Sequence, residues 1–588
     1  MKMCAFTFKI ILLFSILAST ATTSAGWEYP LVESNTTIEG GQLMPEVNLS
    51  TITPVVQSDH FSEVEKEGIT CTQLGLVKND INAGHSNMAL LLQAVQGGKK
   101  VLVDGVYYLK HAEVLVPLSD TFLSLTGSTW DAELKLDGNS NAFFNIADNV
   151  DVHISNLKVT QVGTSERYFM VFKSDCLSNK VVIEGNTFTG KIKFMYFPGE
   201  TAIDPLANPF GIKEFYFTKN KVNDAATSFM ELVDMPSDKM VIEDNVINNF
   251  DYVFLSNGIT NDITYADEMF AAKKLMIVRN NRVTCDDDWW GDSSNLSYYC
   301  FVLFEGTDVV YAGNHIEGLK FSSASGSGAA VYDAYLSCKN LQYTNNVWKN
   351  NLNFNPAKQN NILLKSKGGP KDVTRYYENN TYLIEESYIR MCSAQLARLY
   401  AEDPTTRLAA DFSASWIEFI SLTTNCSTYK ILNNTFDVYD LRLPSSCIPV
   451  EQMHMEGNTF RCKKIGGSLL YYHLVDAVDY SDKIHIVRNN TIYSEGLRSS
   501  ESLYIVSAAD HGAYGNNEYG TILVENNTIA APCSYLLSET RASQAVVTGN
   551  TVELIAPGTL VYPRGISPGS YIDDLVFRDN TFINNIHP

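Results

Sequence analysis

The residues of this chain that could do chemistry are acids and lysines that recur at one point of a repeating pattern. Lys193, Glu231, Glu305, Asp333, Lys365, Lys367, Glu418 and His473 each lie within or beside a short apolar segment, at an alternate position. If the flanking apolar residues face inward, these side chains point out. Clustered carboxylates can hold a calcium ion, and a lysine with a lowered pKa can act as a base. Glu231, Glu305 and Asp333 around a cation, with Lys365 or Lys367 as base, supply the parts for β-elimination in a uronic-acid chain. The cation would neutralise the substrate carboxylate, the lysine would take the C5 proton, and Lys193 and His473 would help to hold the polymer. Two carboxylates alone, drawn from Glu231, Glu305, Asp333 and Glu418, would suit glycoside hydrolysis, which sets them about 5 to 9.5 Å apart. A third reading is a non-catalytic glycan-binding or surface scaffold, since exposed acids and lysines are ordinarily solvated surface. A one-residue slip in register would invert every assignment.

One loop adds binding chemistry. The stretch CDDDWWGDSSNLSYYC (Cys285–Cys300) crowds four acids, three of them consecutive, with two tryptophans and two tyrosines between two cysteines. Exposing Trp289 and Trp290 together without a ligand would be costly, whereas the apolar face of a sugar ring stacks well on such rings. The loop is therefore read as a sugar-stacking wall beside Glu305, against the alternative of a loop folded onto the body of the protein. Asp286, Asp287 and Asp288 would bind calcium or keep the loop soluble.

These residues need a scaffold, and the sequence repeats one. VVIEGNTFTG (Val181–Gly190), AVVTGNTVEL (Ala545–Leu554) and LVFRDNTFIN (Leu575–Asn584) share apolar–x–apolar–x–x–Asn–x–apolar. The same pattern surrounds Asn186, Asn220, Asn245, Asn281, Asn314, Asn346, Asn434, Asn458, Asn527, Asn550 and Asn580. Asn380 and Asn490 fit except five residues upstream, where Arg375 and His485 stand. From Asn186 to Asn580 there are twelve intervals over 394 residues, the shortest 23 and the longest 54, and the longest is expected to hide one coil without its asparagine. Apolar–x–apolar is a short strand with one buried face. Asparagine tolerates the left-handed conformation that turns a chain sharply, so it is assigned to the corner, and the apolar residue after it opens a second strand. Such units bury their faces only by stacking, with strands of successive coils about 4.8 Å apart and the asparagines bonded in a ladder. The architecture implied is all-β, a right-handed single-stranded parallel β-helix. A third strand is expected before each asparagine, as in YFMVFK (168–173), KIKFMYF (191–197) and SFMELV (228–233), with the most variable loops following it.

Before the repeats, SNMALLLQAVQ (Ser86–Gln96) has helical spacing at Ala89, Leu90, Leu92 and Val95, with Ser86 as N-cap, and GGKKVLVDGVYYL follows as strand, turn, strand. A helix over the first coil followed by asparagine-cornered repeats resembles the pectate-lyase-like superfamily, over roughly residues 68–588. The resemblance implies a binding cleft along the third-strand face, walled by the variable loops. The order of charges is similar to that of chondroitinase-B-like and alginate lyases, where acids on successive coils precede a lysine and then an arginine, here Arg375. Polygalacturonase signatures are missing, with only DHG at Asp510–Gly512, and SWIEF only brushes the pectate-lyase signature.

Residues 1–25, with two early lysines, the apolar run IILLFSILA and small residues before Gly26, read as a signal peptide of an exported protein, placed in the periplasm, at the cell surface or outside the cell. Residues 26–67 read as an extended polar leader. No later stretch reaches the ~18 apolar residues of a membrane span. A formal charge of −22 argues against a nucleic-acid partner and would repel a polyanionic glycan unless a cation intervened. A monomer is expected. Ten cysteines follow the signal: Cys71, Cys176, Cys285, Cys300, Cys338, Cys392, Cys426, Cys447, Cys462 and Cys533. Most are expected as buried small residues, with one or two bridges. Sequons include Asn35, Asn48, Asn295, Asn425, Asn433, Asn489 and Asn526; most of the later ones arise because the corner itself reads Asn-Asn-Thr.

Overall fold

The computed structural model describes residues 68–110, 117–138, 142–163, 168–225, 228–258, 264–293, 298–322, 331–354, 360–366, 374–405, 416–422, 426–443, 450–472, 479–497, 503–508, 519–554, 564–566 and 570–584. All strand pairing among them is parallel, each strand bonding to its equivalent one turn earlier and one turn later. One full turn runs Gly211–Thr218, Lys221–Ala225 and Ser228–Glu231; the next runs Ser237–Glu243, Val246–Phe250 and Val253–Ser256. Phe215 faces Met240, Val222 faces Ile247 and Met230 faces Leu255. The molecule is a right-handed parallel β-helix whose first, second and third sheets are built from these three strands of every coil. The third strands fall where the sequence places them, including Tyr168–Phe172, Lys193–Tyr196 and Trp416–Leu422.

The interior is filled by like side chains stacked coil on coil. Phe169, Phe194, Phe229 and Phe254 form one column, with successive ring centroids 5.6, 5.5 and 5.1 Å apart. Tyr382, Phe436 and Phe460 form another, at 4.7 and 4.9 Å. Such columns keep interior packing dense while holding the strands in register.

The thirteen asparagines form one unbroken ladder. In each link the side-chain Oδ1 of one asparagine accepts from both the backbone N–H and the Nδ2 of the asparagine one coil earlier. Asn281 N and Nδ2 lie 3.1 and 2.9 Å from Asn314 Oδ1, and the other Nδ2 hydrogen of Asn314 goes to Val278 O at 3.0 Å. The amide therefore uses both lone pairs and both hydrogens, which is why it can be buried; the twelve from Asn186 to Asn550 are at most 2 % exposed.

The expectation that these asparagines adopt the left-handed conformation is corrected. The left-handed residue is the one before: Gly185, Lys219, Asp244, Asn280, Gly313, Asn345, Asn379, Asn433, Gly457, Asn489, Asn526, Gly549 and Asp579 have φ between 54° and 68° in all thirteen corners. The corner is thus a two-residue device, in which the first residue turns the chain and the second ties it to its neighbours. The hidden coil between Asn380 and Asn434 is corrected as well. Asn380 Nδ2 reaches Asn434 Oδ1 directly at 2.9 Å, and the extra length holds helix Glu386–Glu402, which buries Ile389, Cys392 and Leu396 at helical spacing.

The N-terminal cap is the helix Gly84–Gln96. Its buried face is Met88, Leu91, Leu92 and Val95; Ala89 is exposed and Leu90 half-buried. Ser86 is not the N-cap but lies within the helix, its hydroxyl donating to Ala83 O. The strands Val101–Val103 and Val106–Leu109 follow as expected. Arg375 is inside the coil, 1 % exposed, its Nη1 donating to Tyr429 Oη at 2.9 Å; its inward-facing position in the first sheet removes it from any groove. Cys71, Cys176, Cys338, Cys392 and Cys462 are buried thiols, as read, and burial pushes each up to about 12. Cys285 is also buried, whereas the side chains of Cys300, Cys426, Cys447 and Cys533 lie outside the described residues. No helix among the described residues is long and apolar enough to cross a membrane.

Candidate functional site: a tyrosine platform and a tryptophan wall

The outer face of the third sheet begins with a small, well-defined cluster. Phe194 and Met195 turn inward, leaving Lys193 and Tyr196 half-buried on the flank. Tyr168 and Tyr196 stack with centroids 5.0 Å apart, and Lys193 Nζ sits 5.5 Å from the Tyr168 ring centre. One coil on, Glu231 takes the position facing Tyr196, and Ser256 follows it. Burial, with the Glu231 charge beside it, pushes the Tyr196 phenol up to about 12. Tyr196 thus remains a neutral donor at neutral pH, next to a carboxylate that can only accept.

The tryptophan loop stands at the edge of this platform. It leaves the second sheet after Arg282–Thr284 and reaches back over earlier coils rather than projecting away. Asn249, 3 % exposed, accepts from Asp286 N at 2.9 Å and donates to Asp286 Oδ2 at 2.8 Å. Trp289 donates from its indole nitrogen to Phe250 O at 3.0 Å, and Asp292 N donates to Asp251 O at 2.8 Å. Asp251 pairs with Lys191, whose Nζ lies 4.7 Å over the Trp289 ring. Lys191 belongs to the Asn186 coil and Trp289 follows Asn281, so the loop spans three coil steps, about 14 Å. Trp290 packs on Phe354 at 5.7 Å.

A buried lysine anchors the other side. Lys320, fully buried, donates from Nζ to Asp286 O at 2.8 Å and to Tyr388 Oη at 3.3 Å. It therefore ties the loop to helix Glu386–Glu402, and burial holds its pKa below the usual lysine value. Trp289 and Trp290 are accordingly half-buried, each with an exposed part, while Asp286, Asp287 and Asp288 are exposed. The loop is both folded onto the coil and aromatic at its surface. This loop and the helix precede the third strand, whereas segments such as 197–210 and 257–272 follow it; the third sheet is therefore flanked on both sides, not only on the side expected.

In backbone register the expected charged residues do not fall in one row. Along the third sheet Glu231 is level with Ser256 and then Val302. Glu305 faces Ser337, four residues beyond Asp333, which is about 13 Å along a strand. Lys365 faces Tyr335. The register also shifts by one residue between Phe301 and Phe304. No group of three His, Cys, Asp or Glu among the described residues is placed to hold a metal. The side chains of Glu305, Asp333, Lys365 and Glu418 lie outside the described residues, as do Lys367 and His473 altogether. Of the expected residues, the structure places Lys193, Glu231, Trp289 and Trp290 in one region of the surface, linked through strand Lys193–Tyr196 and the adjoining Lys191. Sequence reading missed Tyr168, Tyr196, Lys191, Asp251, Lys320 and Tyr388. Strict alternation from Phe194 would turn Tyr196 inward, so the pattern hid it, and nothing in the sequence pairs Lys191 with Asp251 or Lys320 with Tyr388.

The chain matches no protein-family model and no curated protein. Among solved structures it is similar to the Dettilon tailspike protein, at 12 % identity over 86 % of this chain and 69 % of that one, with a TM-score of 0.27.

Proposed function

We propose that this is an exported, carbohydrate-binding β-helix that holds an extended polysaccharide along its third sheet, with Tyr196, backed by the buried Tyr168, as floor and the Trp289–Trp290 loop as wall. The observation that carries the reading is the wall itself. Two tryptophans are fastened across three coils by Asn249, Asp251, Lys191 and Lys320, so their rings are presented with little freedom left to lose on binding. Sugar rings offer an apolar face to such aromatics and hydroxyls to Lys193, Glu231 and the Tyr196 phenol. Affinity electrophoresis through gels containing different soluble glycans tests this: Trp289→Ala with Trp290→Ala should abolish retardation by the glycan that retards the parent chain. Unchanged retardation would remove the wall from the site.

The catalytic form of this reading is polysaccharide lyase chemistry further along the same sheet, as in the pectate-lyase-like superfamily. What favours it is the pairing of Lys365 with Tyr335 on adjacent coils, which sets a base and a phenol one strand spacing apart in the backbone. Lys365 would take the C5 proton, the pair left on C5 would form the C4–C5 double bond as the C4–O4 bond breaks, the Tyr335 phenol would protonate the departing oxygen, and cations bound with the substrate would neutralise the uronate carboxylate. Ultraviolet absorbance from an unsaturated uronate, lost in Lys365→Met, is the expected result. Reducing ends released without that absorbance would assign hydrolysis by a carboxylate pair, and neither signal across a broad glycan panel would leave binding alone.

A further inference from the structure

We infer that Asn433 and Asn526 are N-glycosylation sites, and that the sugars they carry form a rib along the corner between the first and second sheets. Four corners read Asn-Asn-Thr: Asn379–Thr381, Asn433–Thr435, Asn489–Thr491 and Asn526–Thr528. In each, the first asparagine is the left-handed residue, with φ between 54° and 56°, and is exposed. The second is the ladder residue, at most 1 % exposed, with both amide hydrogens committed. The two-residue corner therefore separates roles within one motif. The buried asparagine keeps the stack together, and the sequon asparagine faces water, with its acceptor threonine opening the next strand.

Not all four corners offer equal room. Coils are about 4.8 Å apart, and Asn379 precedes Asn433 directly, as Asn489 precedes Asn526. The corner after Asn433 is Gly457, and the corner after Asn526 is Gly549. Those glycines accommodate the asparagine amide so closely that an added Cβ would come 2.3 Å from Asn433 Oδ1 or Asn526 Oδ1. With no side chain on Gly457 or Gly549, the amide of Asn433 or Asn526 lies over the next corner without a neighbouring side chain beside it, whereas Asn379 and Asn489 are each followed by another asparagine side chain. Asn280 and Asn345 are also exposed left-handed corners, but Arg282 and Val347 stand where the threonine is required; they are internal controls.

The donor would be a lipid-pyrophosphate-linked oligosaccharide met during export, as the coils stack. The asparagine Nδ2 forms a bond to the anomeric carbon as that carbon's bond to the pyrophosphate oxygen breaks. The lipid pyrophosphate leaves with the bonding pair, and one amide proton passes to a base of the transferase.

The test is to secrete the full chain from a eukaryotic host, release N-glycans enzymatically in heavy-oxygen water, and map the asparagines converted to labelled aspartate. Asn433 and Asn526 should be labelled, Asn379 and Asn489 several-fold less, and Asn280 and Asn345 not at all. Thr435→Ala and Thr528→Ala, which leave the ladder asparagines in place, should each remove one glycan mass without changing the melting temperature of the enzymatically deglycosylated chain. A secreted, folded chain unmodified at both Asn433 and Asn526 overturns the inference, and equal labelling at Asn379 and Asn489 overturns the part that rests on the glycine corners.

Discussion

Replacing Asn314 with alanine should destabilise the coil far more than replacing Asn345, although both are corner asparagines. Asn314→Ala leaves the Asn281 backbone N–H and one Asn281 Nδ2 hydrogen without an acceptor, and Val278 O loses a donor. The link onward survives in part, because Asn314 N still donates to Asn346 Oδ1 at 2.9 Å. Two buried orphaned donors cost about 1 to 3 kcal/mol each, so the expected loss is about 2 to 6 kcal/mol. Asn345→Ala only moves an exposed left-handed residue to a poorer one, about 1 kcal/mol. Asn314→Asp should be worse still at neutral pH, since it turns a donor toward Asn346 Oδ1 into a buried charge. Urea unfolding followed by circular dichroism gives the ranking directly, and midpoints suffice because a stacked coil need not unfold in one step. An Asn314→Ala midpoint no lower than that of Asn345→Ala would refute the claim that the amide ladder holds the coils together.

His485 gives a pH prediction: it is fully buried, burial pushes it down to about 3, its Nδ1 accepts from Met453 N at 3.1 Å, and its ring stacks on Tyr519 at 3.9 Å. Because its folded pKa is below the unfolded value near 6.5, stability is complete above that pH and falls on acidification, by about 2 kcal/mol at pH 5. His485→Phe should flatten that slope between pH 7 and 4 in a series of melting temperatures. Gly457→Ala should cost more than about 1 kcal/mol, because φ is +68° and the new Cβ meets Asn433 Oδ1; adding Asn433→Ala should recover part of it in a double-mutant cycle of unfolding midpoints. Lys320→Met should loosen the tryptophan loop, seen as a red shift of tryptophan emission together with several-fold weaker glycan retention.

The coil was legible because one residue type marks it. Every ladder asparagine could be named from flanking apolar residues alone, since a buried amide with four bonds tolerates no substitute and so keeps its phase. The left-handed residue was misplaced because Gly, Asp, Asn and Lys all serve at that position, leaving no common letter. The third sheet has no such marker. Nothing periodic in the sequence therefore set Glu305 opposite Ser337 rather than opposite Asp333. Helix Glu386–Glu402 was readable in Ile389, Cys392 and Leu396, but an interval of 54 residues had been explained as a missing coil. The cluster around Lys191, Asp251, Trp289 and Lys320 joins residues from four coils, and only the folded stack brings them together.

The helix that separates Asn380 from Asn434 interrupts a coil without disturbing it: the amide link across that insertion is as short as those across intervals less than half its length. Each turn from Asn186 to Asn580 is therefore closed by a local fastening that is indifferent to how far the chain wanders in between. A scaffold of that kind lets the segments flanking the third sheet lengthen, shorten or be exchanged singly while the spine stays the same. Recognition can then diversify one turn at a time, without refitting the interior.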